Sequence, residues 1–452
     1  MITFGRKLPI GIQTFADIRT QGYLYVDKSA LMWRIANIGK PYFMSRPRRF
    51  GKSLLLSTFE AYFEGRKELF QGLAVEKLEE KWEKHPVLHL DLNAEKYDAP
   101  ERLEAALSYY LTQWEKLYGK GENETTLSNR FKGVIQRAYE QTGKGVVVLV
   151  DEYDKPLLQA LHNDTLLQAY RDILKAFYGV LKSTDRYLRF VFLTGVTNFS
   201  HVSVFSDLNQ LNDISMDYDF ATICGITHEE LLATFAPEIE QLAKVNGQTT
   251  DEAIEQMTRQ YDGYHFHPYA EGMYNPFSVL SAFFKKEYGS YWFQTGTPTF
   301  LVQLLKESDY DLRTLIDGVE APTTAFSEYR AEVNNPIPLI YQSGYLTIKE
   351  FDKRFSNYKL EFPNDEVRYG FLNFLMPYYT PITDDERNFY IGKFIKELET
   401  GETDAFMTRL QAFFADFPYE LNDKTERHYQ VVLYLVFKLM GQFTQAEIHS
   451  AK

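Results

Sequence analysis

"YFMSRPRRFGKSLLLS", residues 42–57, is the stretch on which the reading of this chain turns. A short apolar run passes through a basic turn into Gly51-Lys52-Ser53 and then into a leucine-rich segment of helical character. A phosphate-binding loop requires that order: a buried strand delivers the chain, a turn exposes main-chain N–H groups, and a helix N-terminus faces the anion. In such a loop Lys52 reaches the β- and γ-phosphates, and the Ser53 hydroxyl meets a magnesium ion. Glycine is usual five residues before Gly51, where this chain has Arg46. A Cβ at that point confines the turn to ordinary backbone angles or strains it. Taken alone, the three letters carry little weight, and a helix start beside a solvated arginine cluster is the favoured reading.

The second half of a phosphate-loop site is an apolar strand ending in acids, the first holding magnesium and the next polarising the attacking water. "GVVVLVDEYDKP" has that form: Val146 to Val150 run straight into Asp151 and Glu152. Alone it is also a buried strand emerging into solvent, but each motif predicts the type, order and spacing of the other. "LRFVFLTGVTNFS" adds a neighbouring strand with Thr194, Thr197 and Asn198 at its end. Asn198 is the candidate γ-phosphate sensor, although such residues also simply shape turns.

Short β-rich runs alternate with helical patterns through the first half, the rhythm of a parallel sheet covered by helices. The expected strands are residues 23–27, 41–45, 87–92, 146–151, 188–196 and 221–226. An α/β P-loop NTPase domain is therefore assigned to 1–226. From Thr227, "THEELLATFAPEIEQLAK" opens with a capping threonine and early glutamates, and the βα alternation stops. A helical lid with a winged-helix-like hairpin, "GYLTIKEF" and "NYKLEFP", is expected over 227–365, and a helical C-terminal region over 366–452.

Hydrophobic residues make up 44% and aromatics 16% of 452 residues, enough for several packed cores and against disorder. No apolar run is long enough to span a bilayer, and no signal-peptide pattern opens the chain, so a cytoplasmic protein without membrane contact is expected. One cysteine, Cys224, excludes a disulfide framework and reads as core. A net charge of −13 repels phosphate backbones, and Arg46, Arg48 and Arg49 form the densest basic patch. The hairpin mixes its basic residues with as many acids, which favours a structural lid over DNA binding. His265 and His267 in "YHFHPY" lack further metal ligands nearby and read as loop packing. Asp91 reads as a strand-capping carboxylate near the site.

"LPIGIQTFADIRTQGYLYVDKSALMWRI", "YFMSRPRRFGKSLLLSTFEAYFEGRKELFQGL", "VVVLVDEYDKPL", "FLTGVTNFS", "MYNPFSVL", "QSGYLTIKEF" and "FPNDEVR" together resemble the bacterial AAA-ATPase-like family over residues 4–440. The resemblance makes the arginine-rich loop a family trait in place of the first glycine. It implies a magnesium-dependent ATP site with Gly51, Lys52 and Ser53 as the loop and Asp151 with Glu152 as the acidic pair. Candidate nucleotide contacts are Arg46, Pro47, Arg48, Phe50, Gly51, Lys52, Ser53 and Leu54. Candidate catalytic groups are Lys52, Glu152, Asn198 and Arg49, with Ser53 and Asp151 on Mg2+. Relatives commonly carry a C-terminal PD-(D/E)XK nuclease-like domain, whose first helix and strand resemble "ERHYQVVLYLVFKLMG", with Glu426 matching the helix acid, and "TQAEIHSAK". The Asp and Glu-x-Lys that bind its metal are not within the sequence, so no nuclease activity is expected of this chain, and nucleic acid enters as a partner only through such a domain. A protein partner or a second copy of the chain stays open. So do two alternatives: a non-hydrolysing interaction scaffold, and the ATPase arm of a nuclease in defence or mobile-element biology.

Overall fold

Val146–Asp151 is buried at all six positions, as a strand covered on both faces by helices must be. It is the third strand (β3) of a five-stranded parallel sheet in a computed structural model describing residues 5–198, 210–295, 301, 304–305, 312–327, 335–379, 384–415 and 426–440. The others are β1 (Tyr42–Ser45), β2 (Val87–Asp91), β4 (Leu188–Gly195) and β5 (Asn212–Asp213), in the order β2-β3-β4-β1-β5. Strand β4 thus separates β1 from β3. The loop leaving β1 and the carboxylates ending β3 consequently lie at one carboxyl edge, a single strand apart. Open parallel sheets bind ligands at that edge.

Helix Lys52–Phe63 follows the loop and lays Leu55, Leu56, Phe59 and Phe63 onto the sheet. The Phe59 ring sits 5.0 Å from those of Phe190 and Phe192, and Phe63 is 5.0 Å from Phe190. Burying each such side chain contributes about 1.5–3 kcal/mol, so the helix start is held rigidly over the strand ends.

Two expected strands are not strands. Over 23–27 only a bridge from Tyr23 to Lys7 forms, and Leu24 and Val26 instead pack against a second apolar cluster built around Leu231, Phe235 and Tyr261. Over 221–226 the chain turns, with Gly225 at φ 96°, outside strand geometry. Asn212–Asp213 takes the β1 edge in its place. The remaining strand bounds agree within a residue, the ordinary slack of strand ends.

Thr227 caps helix His228–Asn246 through a capping box with Glu230, and the helix bends at Phe235 ahead of Pro237. Asn275 caps helix Pro276–Lys285. The expected hairpin is present as Thr347–Asp352 paired antiparallel with Asn357–Glu361, joined by Val319–Pro322 in a three-stranded sheet. Helix Glu426–Leu439 packs on helix Asp365–Tyr379. The Glu426 side chain and the strand expected at 444–452 lie outside the described residues. No helix among the described residues is long and apolar enough to cross a membrane.

Candidate functional site

Between β1 and its helix the chain takes two left-handed residues, Arg49 at φ 65° and Gly51 at φ 94°. The Arg49 conformation is strained for a residue with a Cβ. The helix that begins at Lys52 presents its first unpaired N–H groups at this turn. Lys52 is 4% exposed; its ammonium donates to the carbonyls of Arg46 (3.1 Å) and Pro47 (3.3 Å) and lies 3.4 Å from Glu152 Oε1.

The acidic strand ends beside it. Asp151 Oδ1 accepts from Thr194 Oγ1 at 2.7 Å and from the Glu152 N–H at 3.0 Å. Glu152 stands at φ 52°, a second strained position in the same cluster. Burial pushes its carboxyl above the usual range against the opposing pull of Lys52. Asp154, fully buried, receives the N–H groups of Val196 and Thr197 and the Thr197 hydroxyl, tying the exit of β4 to the turn after β3. Burial raises its carboxyl as well, although the Thr197 hydrogen bonds draw it down. Gly195 is required there, because a Cβ would meet Asp154 Oδ1 at 2.6 Å.

Of the residues named from sequence, Lys52, Asp151 and Glu152 converge, and Ser53 follows at the helix start. Asn198 is not in this cluster. Its amide side chain donates to Asp213 Oδ2 at 2.5 Å and its N–H to Gln342, which turns it toward β5. Thr194 is the polar residue of β4 that touches the acidic pair.

The arginines also differ from a solvated cluster. Arg46 is 1% exposed and donates to the carbonyls of Ser45, Ser215 and Phe220, with its guanidinium 4.1 Å from the Phe266 ring. Phe50 is equally internal, edge-on to Tyr264 and Phe266. Anything Arg46 and Phe50 offer a phosphate is therefore main chain. Arg48 stacks 4.8 Å from Trp292 and donates to Tyr345 Oη, while its carbonyl accepts from Trp292 Nε1 at 3.0 Å. Arg49 alone is exposed, beside Phe277. Asp154, the third acid in "DEYD", and Trp292 were missed because their roles arise from contacts remote in sequence, whereas Thr194 stood beside Asn198 among the candidates at the strand end.

A protein described as "Uncharacterized protein in vnfD 5'region", from Azotobacter chroococcum mcd 1, is 36% identical over 447 residues, spanning 96% of this chain and 83% of that protein. The family model described as "Predicted AAA-ATPase" matches residues 9–205. The chain belongs to this predicted AAA-ATPase family.

An apolar cavity of about 100 Å3 adjoins Gly51 and Leu54, walled by Tyr25, Ile223 and Leu280. Asp91 caps its strand by accepting from the Asn93 N–H. Cys224 is buried, which pushes its thiol up and away from reactivity. His265 hydrogen-bonds to the Ala270 carbonyl, and His267 packs against Tyr218 and Tyr269. Among the described residues no group of three or more His, Cys, Asp or Glu side chains could hold a metal ion. A hydroxyl and a carboxylate, Ser53 and Asp151, do suit magnesium, which keeps waters and binds through one or two protein oxygens plus substrate phosphates.

Proposed function

We propose that this chain binds ATP on the 46–54 loop and hydrolyses it. The observation that carries the reading is the approach of Lys52 to Glu152 at 3.4 Å, with Asp151 adjacent, at the carboxyl edge of a parallel sheet. Phosphates would lie on the N–H groups of the loop and first helical turn. Lys52 would leave the carbonyls of Arg46 and Pro47 for the β- and γ-phosphates, and the base would enter the apolar cavity beside Gly51 and Leu54. Ser53 and Asp151 would hold magnesium, which supplies charge neutralisation to the phosphates when bound. Glu152, released from Lys52, would orient and deprotonate the attacking water. Arg49 is the arginine left free of the interior to offset γ-phosphate charge.

Coupling to the rest of the chain would run through Arg48, whose carbonyl and side chain are held by Trp292 and Tyr345. On this reading 1–226 is the ATPase domain, and 227–365 is the lid that senses the loop. The 366–452 region is the part that the lid moves.

A thermal-shift titration of wild type and Lys52→Ala with magnesium and ATP tests the proposal. A ligand at about a hundred times its dissociation constant adds about 2.7 kcal/mol of stability, so wild type should shift strongly and the variant should not. The inward pairing of Lys52 with Glu152 favours one competitor, a locked scaffold that takes no nucleotide. No shift of wild type at millimolar ATP would establish that competitor.

A further inference from the structure

A second cavity, of about 480 Å3, lies at the β5 end of the sheet, against the three-stranded antiparallel sheet and its neighbours. Ser45, Arg46 and Pro47 form one wall; neither Lys52 nor the acids Asp151 and Glu152 line it. Its volume falls within the range of about 300–1,000 Å3 typical of small-molecule sites.

The lining is built rather than incidental. Phe326 stands edge-on to Tyr341 at 5.0 Å and to Tyr358 at 5.6 Å, making a three-ring box. Phe266, backed by the Arg46 guanidinium, also lines the cavity. The polar wall is an amide and acid set already fixed in place. Asp213 accepts from the Ser215 N–H and from Asn198, and buried Gln342 accepts the Asn198 N–H through its carbonyl oxygen. Aromatic rings together with carboxamide and carboxylate groups in one lining suit a planar ring that carries donors and acceptors on its rim.

Charge narrows the class further. Among the described residues no lysine lines the cavity, and the terminal nitrogens of Arg46 donate to the carbonyls of Ser45, Ser215 and Phe220. Asp213 and Asp217 line it as well. A phosphate there would meet two carboxylates, with Arg46 already engaged by three carbonyls and only its Nε unpartnered.

We infer that this cavity binds a phosphate-free, planar, hydrogen-bonding ring compound of nucleobase or nucleoside type, separate from the nucleotide on the loop. Binding there stands independently of the proposed ATPase activity. One consequence rests on that activity: the occupant would press on Arg46 and Pro47, whose carbonyls hold Lys52, so occupancy would alter ATP affinity.

Equilibrium dialysis of the full chain with adenosine, guanosine and cytidine, each against its 5′-monophosphate, tests the assignment. At least one nucleoside should bind below about 1 mM, and its monophosphate about tenfold more weakly or worse. Lys52→Ala should leave that binding unchanged while losing ATP. Thr323→Trp, which fills the cavity from a half-buried turn, should abolish nucleoside binding and leave ATP binding in place. Tyr358→Ala opens the ring box and should weaken it about tenfold, giving a second reading if the tryptophan variant does not fold. Absence of binding by all three nucleosides, or binding that survives the cavity variants, overturns the assignment. Loss of ATP binding by wild type with nucleoside binding retained would overturn the ATPase reading alone.

Discussion

The Lys52 ammonium lies 3.4 Å from Glu152 Oε1 while donating to two loop carbonyls. Those two residues stand 100 positions apart in the chain and meet because β4 is the only strand between β1 and β3. Lys52→Ala would leave the Glu152 carboxyl buried without its counter-charge and remove the proposed phosphate anchor. Isothermal titration should show ATP affinity falling about 10- to 150-fold, the equivalent of one charged hydrogen bond. NMR titration should show the Glu152 carboxyl rising still further above its ordinary range.

Glu152→Gln keeps the size and one acceptor but cannot take a proton. Phosphate release should fall about 100- to 10,000-fold, the contribution of a positioned general base, with ATP binding retained. Turnover equal to wild type would remove Glu152 from the chemistry.

Arg46 and Arg49 should separate cleanly. Arg46→Ala strips donors from three carbonyls and a ring from its cation, so urea unfolding should show a loss of about 3 kcal/mol. Arg49→Ala, at an exposed position, should leave stability within about 0.5 kcal/mol and act on hydrolysis instead. An exposed arginine whose removal changed neither quantity would have no role at the γ-phosphate.

Gly195→Ala would drive a Cβ to 2.6 Å from Asp154 Oδ1 and 2.7 Å from the Tyr153 ring. Overpacking of this kind costs about 1–3 kcal/mol. Because Asp154 also ties down Val196 and Thr197, hydrolysis should drop more than stability alone explains. Hydrogen exchange at Thr197 measures that release directly.

Local order made the two halves of the loop site legible. Strand, turn and helix start are contiguous in residues 42–57, and β3 announces itself by five consecutive apolar residues before Asp151. The orientation of the arginines was not legible, because Arg46 turns inward only where Ser215, Phe220 and Phe266 supply carbonyls and a ring from far along the chain. The same holds for Asn198, whose partner Asp213 belongs to a two-residue strand too short to carry a pattern. Residues 221–226 read as a strand by composition. Gly225 and the prior occupation of the β1 edge decided otherwise.

Glu366 is tied through Trp292 to the 46–54 loop in a way that pH should expose. It is 1% exposed and accepts from Ser278 Oγ and the Trp292 N–H, each at 2.7 Å; Trp292 in turn holds the Arg48 carbonyl. Burial raises its carboxyl from 4.5 to about 7, with the hydrogen bonds pulling the other way. The native state thus holds the proton more tightly than the unfolded chain. Stability from this group is full below the ordinary carboxyl value and is lost as pH rises toward 7. Glu366→Gln removes the titration, so the variant should gain on wild type between about pH 5 and pH 8 by up to about 3 kcal/mol. Urea unfolding of both proteins across that range measures it. A poorer fit of the amide to Ser278 would offset the two curves equally at every pH, so the slope of their difference, not its size at one pH, decides whether Glu366 folds protonated.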